Sequence, residues 1–107
     1  MAAPDLPANM SVSGNTFAAS GDFGMYDEDE FARQLGEFVA APRDAYVIDL
    51  TGVTFITSTC IRIVAETMVN LSGENKSVTV RANPSIYHVL HRSGLAVIGT
   101  IEQIDDS

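Results

Sequence analysis

Basic residues are scarce in this chain: six lysines and arginines stand against 14 aspartates and glutamates, a formal net charge of -8. Such a surface repels nucleic-acid phosphates and anionic headgroups before contact, so no nucleic acid is expected as a partner and a basic protein surface is favoured. Tryptophan is absent and cysteine occurs once, at Cys60. One cysteine cannot close an internal disulfide, which fits a reducing, cytoplasmic location. No apolar run approaches the length of a membrane span, so no direct membrane insertion is expected. The opening MAAPDLPANM lacks the basic cluster and apolar core of a secretory signal. The phosphate-loop, dinucleotide and nucleophile-elbow signatures are missing too, and no cofactor is expected.

What is present reads as one globular domain. The chain has 107 residues, 46% hydrophobic and 19% charged, enough for a single core. Residues 1–8 hold two prolines and read as a flexible tail ahead of a single domain over 9–107. Residues 10–12 and 16–19 flank Ser13, Gly14 and Asn15 as a hairpin. Asp27, Glu28, Asp29 and Glu30 open a helix, with Asp27 as cap, Glu30 completing a capping box and Tyr26 stapled onto Phe31. Four acids in a first turn complement the helix dipole, and their spacing is not that of a calcium loop, so no metal is assigned to them. Phe31, Leu35, Phe38 and Val39 make the buried face, and Pro42 closes the helix.

Residues 46–50 form an apolar run expected of a strand covered on both faces. Residues 61–71 return to helical spacing, with Arg62 and Glu66 one turn apart as an ion pair and Gly73 as the stop. Residues 77–81 alternate as a strand. Asn83 and Pro84 open the next helix, whose stripe is Ile86, Val89 and Leu90 and which ends at Gly94. Residues 96–101 read as a last strand. Strands alternating with helices predict an α/β fold: a mixed, largely parallel sheet of four to five strands with about three helices packed on it.

The junction FITSTCIR is the chemical focus. A hydroxyl at a helix start is a favoured cap, and one of Thr57, Ser58 and Thr59 suffices for that. Three in succession exceed the need. A helix N-terminus also stabilises a phosphate, so a hydroxyl there can serve as a phosphoryl acceptor. Cys60 is a candidate nucleophile at the same helix start, against the simpler reading of a packing residue. His88 and His91 lie three apart on a helix but have no obvious third ligand for a metal.

At this point the sequence resembles a known family. DLTGVTFITSTCIRIV is similar to the central motif of STAS domains, the anti-sigma factor antagonists. There a strand ends in Asp-Leu-Ser/Thr-x-Val, and Asp-Ser-Ser/Thr-Gly-Leu then opens a helix. FAASGDFGMYDEDEFARQL is similar to the family's second strand, turn and first helix, and ANPSIYHVLHRSGL to the segment around its third helix. The resemblance spans residues 16–95. It implies a bacterial regulatory module and no enzyme: an anti-anti-sigma factor working by partner switching. By this resemblance Thr59 is the phosphorylated position, with Ser58 beside it. Asp22, Phe23, Thr57, Ser58, Thr59, Cys60 and Arg62 are the contact residues. The implied partners are an anti-sigma factor of the histidine-kinase-like ATPase type, which phosphorylates the hydroxyl, and a PP2C-type phosphatase that reverses it. The chain departs from the pattern at Thr57, where Asp is usual, at Cys60, where Gly is usual, and at Arg62, usually small. Threonine as acceptor is similar to family branches in stress-signalling assemblies and transport ATPases. The alternative is therefore a constitutive, non-phosphorylated scaffold subunit of a stress-signalling complex or membrane transporter assembly.

Overall fold

The computed structural model describes residues 7–104. Most of the tail expected over residues 1–8 therefore lies outside the described residues. The elements run β1 (Asn9–Ser13), β2 (Thr16–Phe23), a 3-10 turn (Met25–Asp27), α1 (Glu28–Ala40), β3 (Ala45–Ile56), α2 (Ser58–Gly73), β4 (Ser77–Ala82), α3 (Pro84–Arg92), α4 (Leu95–Ile98) and β5 (Thr100–Gln103). The sheet order is β1-β2-β3-β4-β5, antiparallel between β1 and β2 and parallel elsewhere. This is the expected mixed α/β architecture. No helix among the described residues is long and apolar enough to cross a membrane.

All the helices lie on one face. Phe17, Ala19 and Phe23 of β2, Tyr46, Ile48, Leu50 and Val53 of β3, and Val78, Val80 and Ala82 of β4 point into the core. The residues between them, such as Ala18, Val47, Asp49 and Thr79, are only half-buried. The run over 46–50 is thus a one-sided strand, not one covered on both faces. Its apolar neighbour positions are small or β-branched, which suits a pleated surface as well as a core.

Aromatic rings fasten α1 to the sheet. Phe31 meets Phe17 and Phe23 edge-on at centroid distances of 6.0 and 5.3 Å, and Phe38 meets Tyr46 at 5.6 Å. Arg43 closes the end of α1, its guanidinium 4.5 Å from the Phe38 ring centre and donating to the carbonyls of Phe38 and Ala41. The start of α1 differs from expectation. Tyr26 is 96% exposed and staples nothing. Glu30 turns to Arg33 and Gln34, which hold its carboxyl down at about 2. It is Asp27 that closes a turn, accepting from the Gly24 N–H at 2.9 Å. The helix starts where expected, with Asp27 at its N-cap position, but the 3-10 turn ahead of it takes Tyr26 off the buried face.

Other endings shift for local reasons. α2 runs through Gly73, and the left-handed residue is Asn75, at φ 61. Lys76 N–H reaches the Leu71 carbonyl at 2.9 Å and Asn75 N–H that of Ser72 at 3.0 Å, a Schellman closure built on asparagine. Arg62 and Glu66 are both exposed, and the ion pairs among the described residues form elsewhere. Val89 is on the rim of its stripe, 39% exposed. Residues 95–98 are a short helix where a strand was expected. Leu95 drops into the core directly after Gly94 at φ 85, and β5 pairs with β4 only from Thr100.

The side chain of Asn83 joins two elements. Its oxygen accepts from Ile86 N–H at 3.0 Å, capping α3. Its amide donates to the carbonyls of Thr51 at 3.1 Å and Val53 at 2.8 Å, on the stretch of β3 beyond its pairing with β4. Asn83→Ala is expected to lower unfolding free energy by about 2–3 kcal/mol in urea titration, a lost cap plus two deprived carbonyls. Asn83→Ser, which keeps only the cap, should recover about 1 kcal/mol of that.

Candidate functional site

Parallel register brings the ends of β2, β3 and β4 to one edge of the sheet, each followed by a helix start. The β2–β3 seam is tight there. The register slips between Ala18 and Ser20 and again between Gly21 and Asp22, with Gly21 at φ 88. Gly52 is required beside the first slip, since a Cβ on it would stand 2.8 Å from the Ser20 Cβ. Asp22 and Phe23, which the resemblance puts in the turn after the second strand, are the last residues of β2, paired with Phe55 and Ile56. At each slip β3 carries one extra residue, and the pairing resumes beyond it as far as Phe23 and Ile56.

One further backbone bond extends the seam: Thr57 N–H donates to the Phe23 carbonyl at 3.2 Å. Thr57 is the cap of α2. Its Oγ1 accepts from Cys60 N–H at 3.3 Å and donates to Glu28 Oε2 at 2.7 Å. The first turns of α1 and α2 are thereby linked through a carboxylate, a hydroxyl and a backbone N–H. Because Thr57 does the capping, Ser58 and Thr59 are spare. Ser58 is exposed and Thr59 half-buried. Arg62 is exposed one turn further along. Asp22 is half-buried and accepts a hydrogen bond from the Thr54 hydroxyl. Phe23 and Cys60 are fully buried, so their side chains position the surface from beneath.

Beside this edge opens a groove of about 800 Å³ whose lining includes Asp22, Gly24, Tyr26, Asp27, Thr54 and Phe55. Tyr26 at 96% and Phe55 at 54% exposure make it apolar as well as acidic, and Met25, 70% exposed, adjoins Tyr26 in the chain. As surface residues these three were missed in the sequence, where Tyr26 is expected to pack on Phe31. A signal for Phe55 was available: buried Val53 and Ile56 are three apart, which breaks the alternation and leaves Thr54 and Phe55 outside. Nothing in the sequence separates an outward Met25 from an inward one.

Cys60 is walled in, and burial pushes its thiol up, with the Glu28 and Asp27 carboxylates adding to the rise against the Thr57 hydrogen bond. A neutral, inaccessible thiol is no nucleophile.

Residues 9–101 match the family described as "Mlab, STAS domain". Among solved structures, an anti-sigma factor antagonist from Mycobacterium paratuberculosis superposes with a TM-score of 0.78 at 25% identity, covering 97% of this chain and 92% of that one. The anti-sigma factor antagonist SpoIIAA in its unphosphorylated form shares the fold, with a TM-score of 0.68 at 12% identity over 94% of this chain and 89% of that one. No curated protein matches the sequence.

The buried thiol gives a direct check. The folded protein should resist alkylation at pH 8, where the same protein in denaturant reacts at once. Because the folded state favours the protonated thiol, stability should fall as pH rises from the ordinary value of 9.0 through the raised one. Cys60→Ala should lack that alkaline component in denaturation measured across pH.

Proposed function

Because this chain belongs to the STAS domain family, we propose that it is an anti-sigma factor antagonist, a cytoplasmic binding module switched by phosphorylation at Thr59. Family membership and the likeness to the mycobacterial antagonist support the general reading. The observation that carries the switch is local: the cap of α2 is Thr57, leaving two hydroxyls at the helix start that the fold does not use. The partner is an anti-sigma factor of the histidine-kinase-like ATPase type, and a PP2C-type phosphatase resets the site.

Electrostatics supports the mechanism. A phosphoryl group adds roughly -1.5 to -2 charge at neutral pH. The α2 N-terminus stabilises it by about 0.3–1 kcal/mol, so the fold tolerates the modification. The same charge arrives beside Glu28, whose carboxylate already takes the Thr57 hydrogen bond. The modified edge then presents a different field to a partner that reads Asp22, Ser58, Thr59 and Arg62 around the groove. Contact with the kinase is lost, and the kinase is free to hold its sigma factor.

A constitutive scaffold role is the second reading. Thr57 in place of the family's Asp, Cys60 in place of Gly and the half-buried Thr59 favour it. Calorimetry with the ATPase-type anti-sigma factor from the same genome separates the two. Thr59→Glu should weaken binding at least ~100-fold, about 2.7 kcal/mol, while Thr59→Ala binds and accepts no phosphate from ATP. Equal binding by wild type and Thr59→Glu would leave the scaffold reading standing in its place.

A further inference from the structure

The two edges of the sheet differ. β5 is four residues long and carries Glu102, which pairs with Arg81 at 3.4 Å. Short length and charge are the usual protections of an edge strand. β1 has neither. Its five residues, NMSVS, include no charge and no proline, all but Met10 are exposed, and Val12 is 51% exposed. In a chain of net charge -8, this is a neutral strand with no neighbour on its outer side among the described residues.

The hairpin geometry fixes which of its groups are free. Ser13 and Thr16 face each other across the two-residue loop of Gly14 and Asn15, with Gly14 at φ 60. That loop closes on a hydrogen-bonded pair, and antiparallel pairs alternate. Ser13, Ser11 and Asn9 therefore bond inward to Thr16, Ala18 and Ser20. The N–H and C=O groups of Met10 and Val12 point outward, away from β2.

We propose that β1 is a self-pairing edge, joining two copies of this chain through antiparallel β1–β1 contact about a two-fold axis at Ser11. In that register Met10 faces Val12 of the other copy, twice, and Asn9 faces Ser13. The outward groups of Met10 and Val12 then bond each other, giving four hydrogen bonds and leaving Ser11 opposite itself as the non-bonded pair. Met10 and Val12 share the helix-side face with Ala19 and Phe17, their β2 partners. The apolar pair forms on that side and the Ser and Asn side chains lie on the open side. No charge meets a like charge along the strand, which is the condition for isologous pairing between two acidic chains. One strand per copy is a small interface, so the dimer is weak and concentration-dependent. The two candidate binding edges end up at opposite ends of the continuous sheet, because the paired strands run in opposite directions, and both stay open.

Three measurements on the full chain test this. Sedimentation from about 10 µM to about 1 mM should show monomer and dimer exchanging. Ser11→Cys places two thiols at a pair with Cα atoms about 4.5 Å apart, within disulfide reach, so mild oxidation should link it. Asn9→Cys puts them about 14 Å apart and should not link. Val12→Lys, checked for folding by circular dichroism, should weaken dimerisation at least ~10-fold by setting a charge on the edge. Selective linkage through Ser11→Cys, suppressed by Val12→Lys, supports the pairing. A chain monomeric throughout the range overturns it, as does a dimer that ignores Val12→Lys or links equally through Asn9→Cys.

Discussion

Strand β3 continues to Ile56, although its last rung with β4 is Leu50 against Ala82. From Thr51 onward it has β2 on one side; on the other, among the described residues, the Asp49 carboxylate accepts from the Thr51 N–H and the Asn83 amide donates to the carbonyls of Thr51 and Val53. That overhang is what raises the start of α2 above the sheet edge. Without the amide, the Thr51 and Val53 carbonyls would lose their partners and the overhang its straightness. With it, Thr57 reaches Phe23 and the last turn of backbone before the helix is fixed on both flanks. The same side chain caps α3, so one residue ties the third helix to the ground on which the second begins.

Acidic side chains and exposed apolar ones share this edge. The first turn of α1 brings Glu28, Asp29 and Glu30, and the groove adds Asp22 and Asp27. Exposed Met25, Tyr26 and Phe55 stand among them. Aromatic anchors within a charged surround are what a transient protein interface uses: area from the rings, selectivity from the field. A modification at the helix start changes the field and leaves the area alone. The Thr57–Glu28 bond adds coupling, since anything that repels Glu28 also loosens the hydroxyl that caps α2. The fold beneath is insulated by a continuous aromatic seam from Phe23 to Tyr46.

Much of this was legible from residue patterns, because patterns report burial and local hydrogen bonding. Asn83 and Pro84 announced α3, and Gly94 ended it, since cap chemistry is short-range. The hydroxyl cluster pointed to the start of α2 for the same reason. What stayed hidden depended on contacts distant in sequence. The resemblance puts Asp22 and Phe23 in a turn, yet they stay in the strand, paired with β3 past two register slips. The bond between Thr57 and Glu28 spans 29 positions and has no local signature. Residues 95–98 have strand propensity in Val97 and Ile98, but burying Leu95 after Gly94 coils them into a helical turn. One-sided burial of β3 was also out of reach, since an apolar run looks alike whether one face is covered or two.

The central claim is that Thr59 is a phosphoryl switch and not merely a residue in a helix's first turn. Site-resolved mass spectrometry of the protein isolated from its own cells tests it most directly. Thr59 should carry a phosphate whose occupancy changes between growth and stress conditions. A chain that carries none under any of those conditions, or carries it only on Ser58, would contradict it.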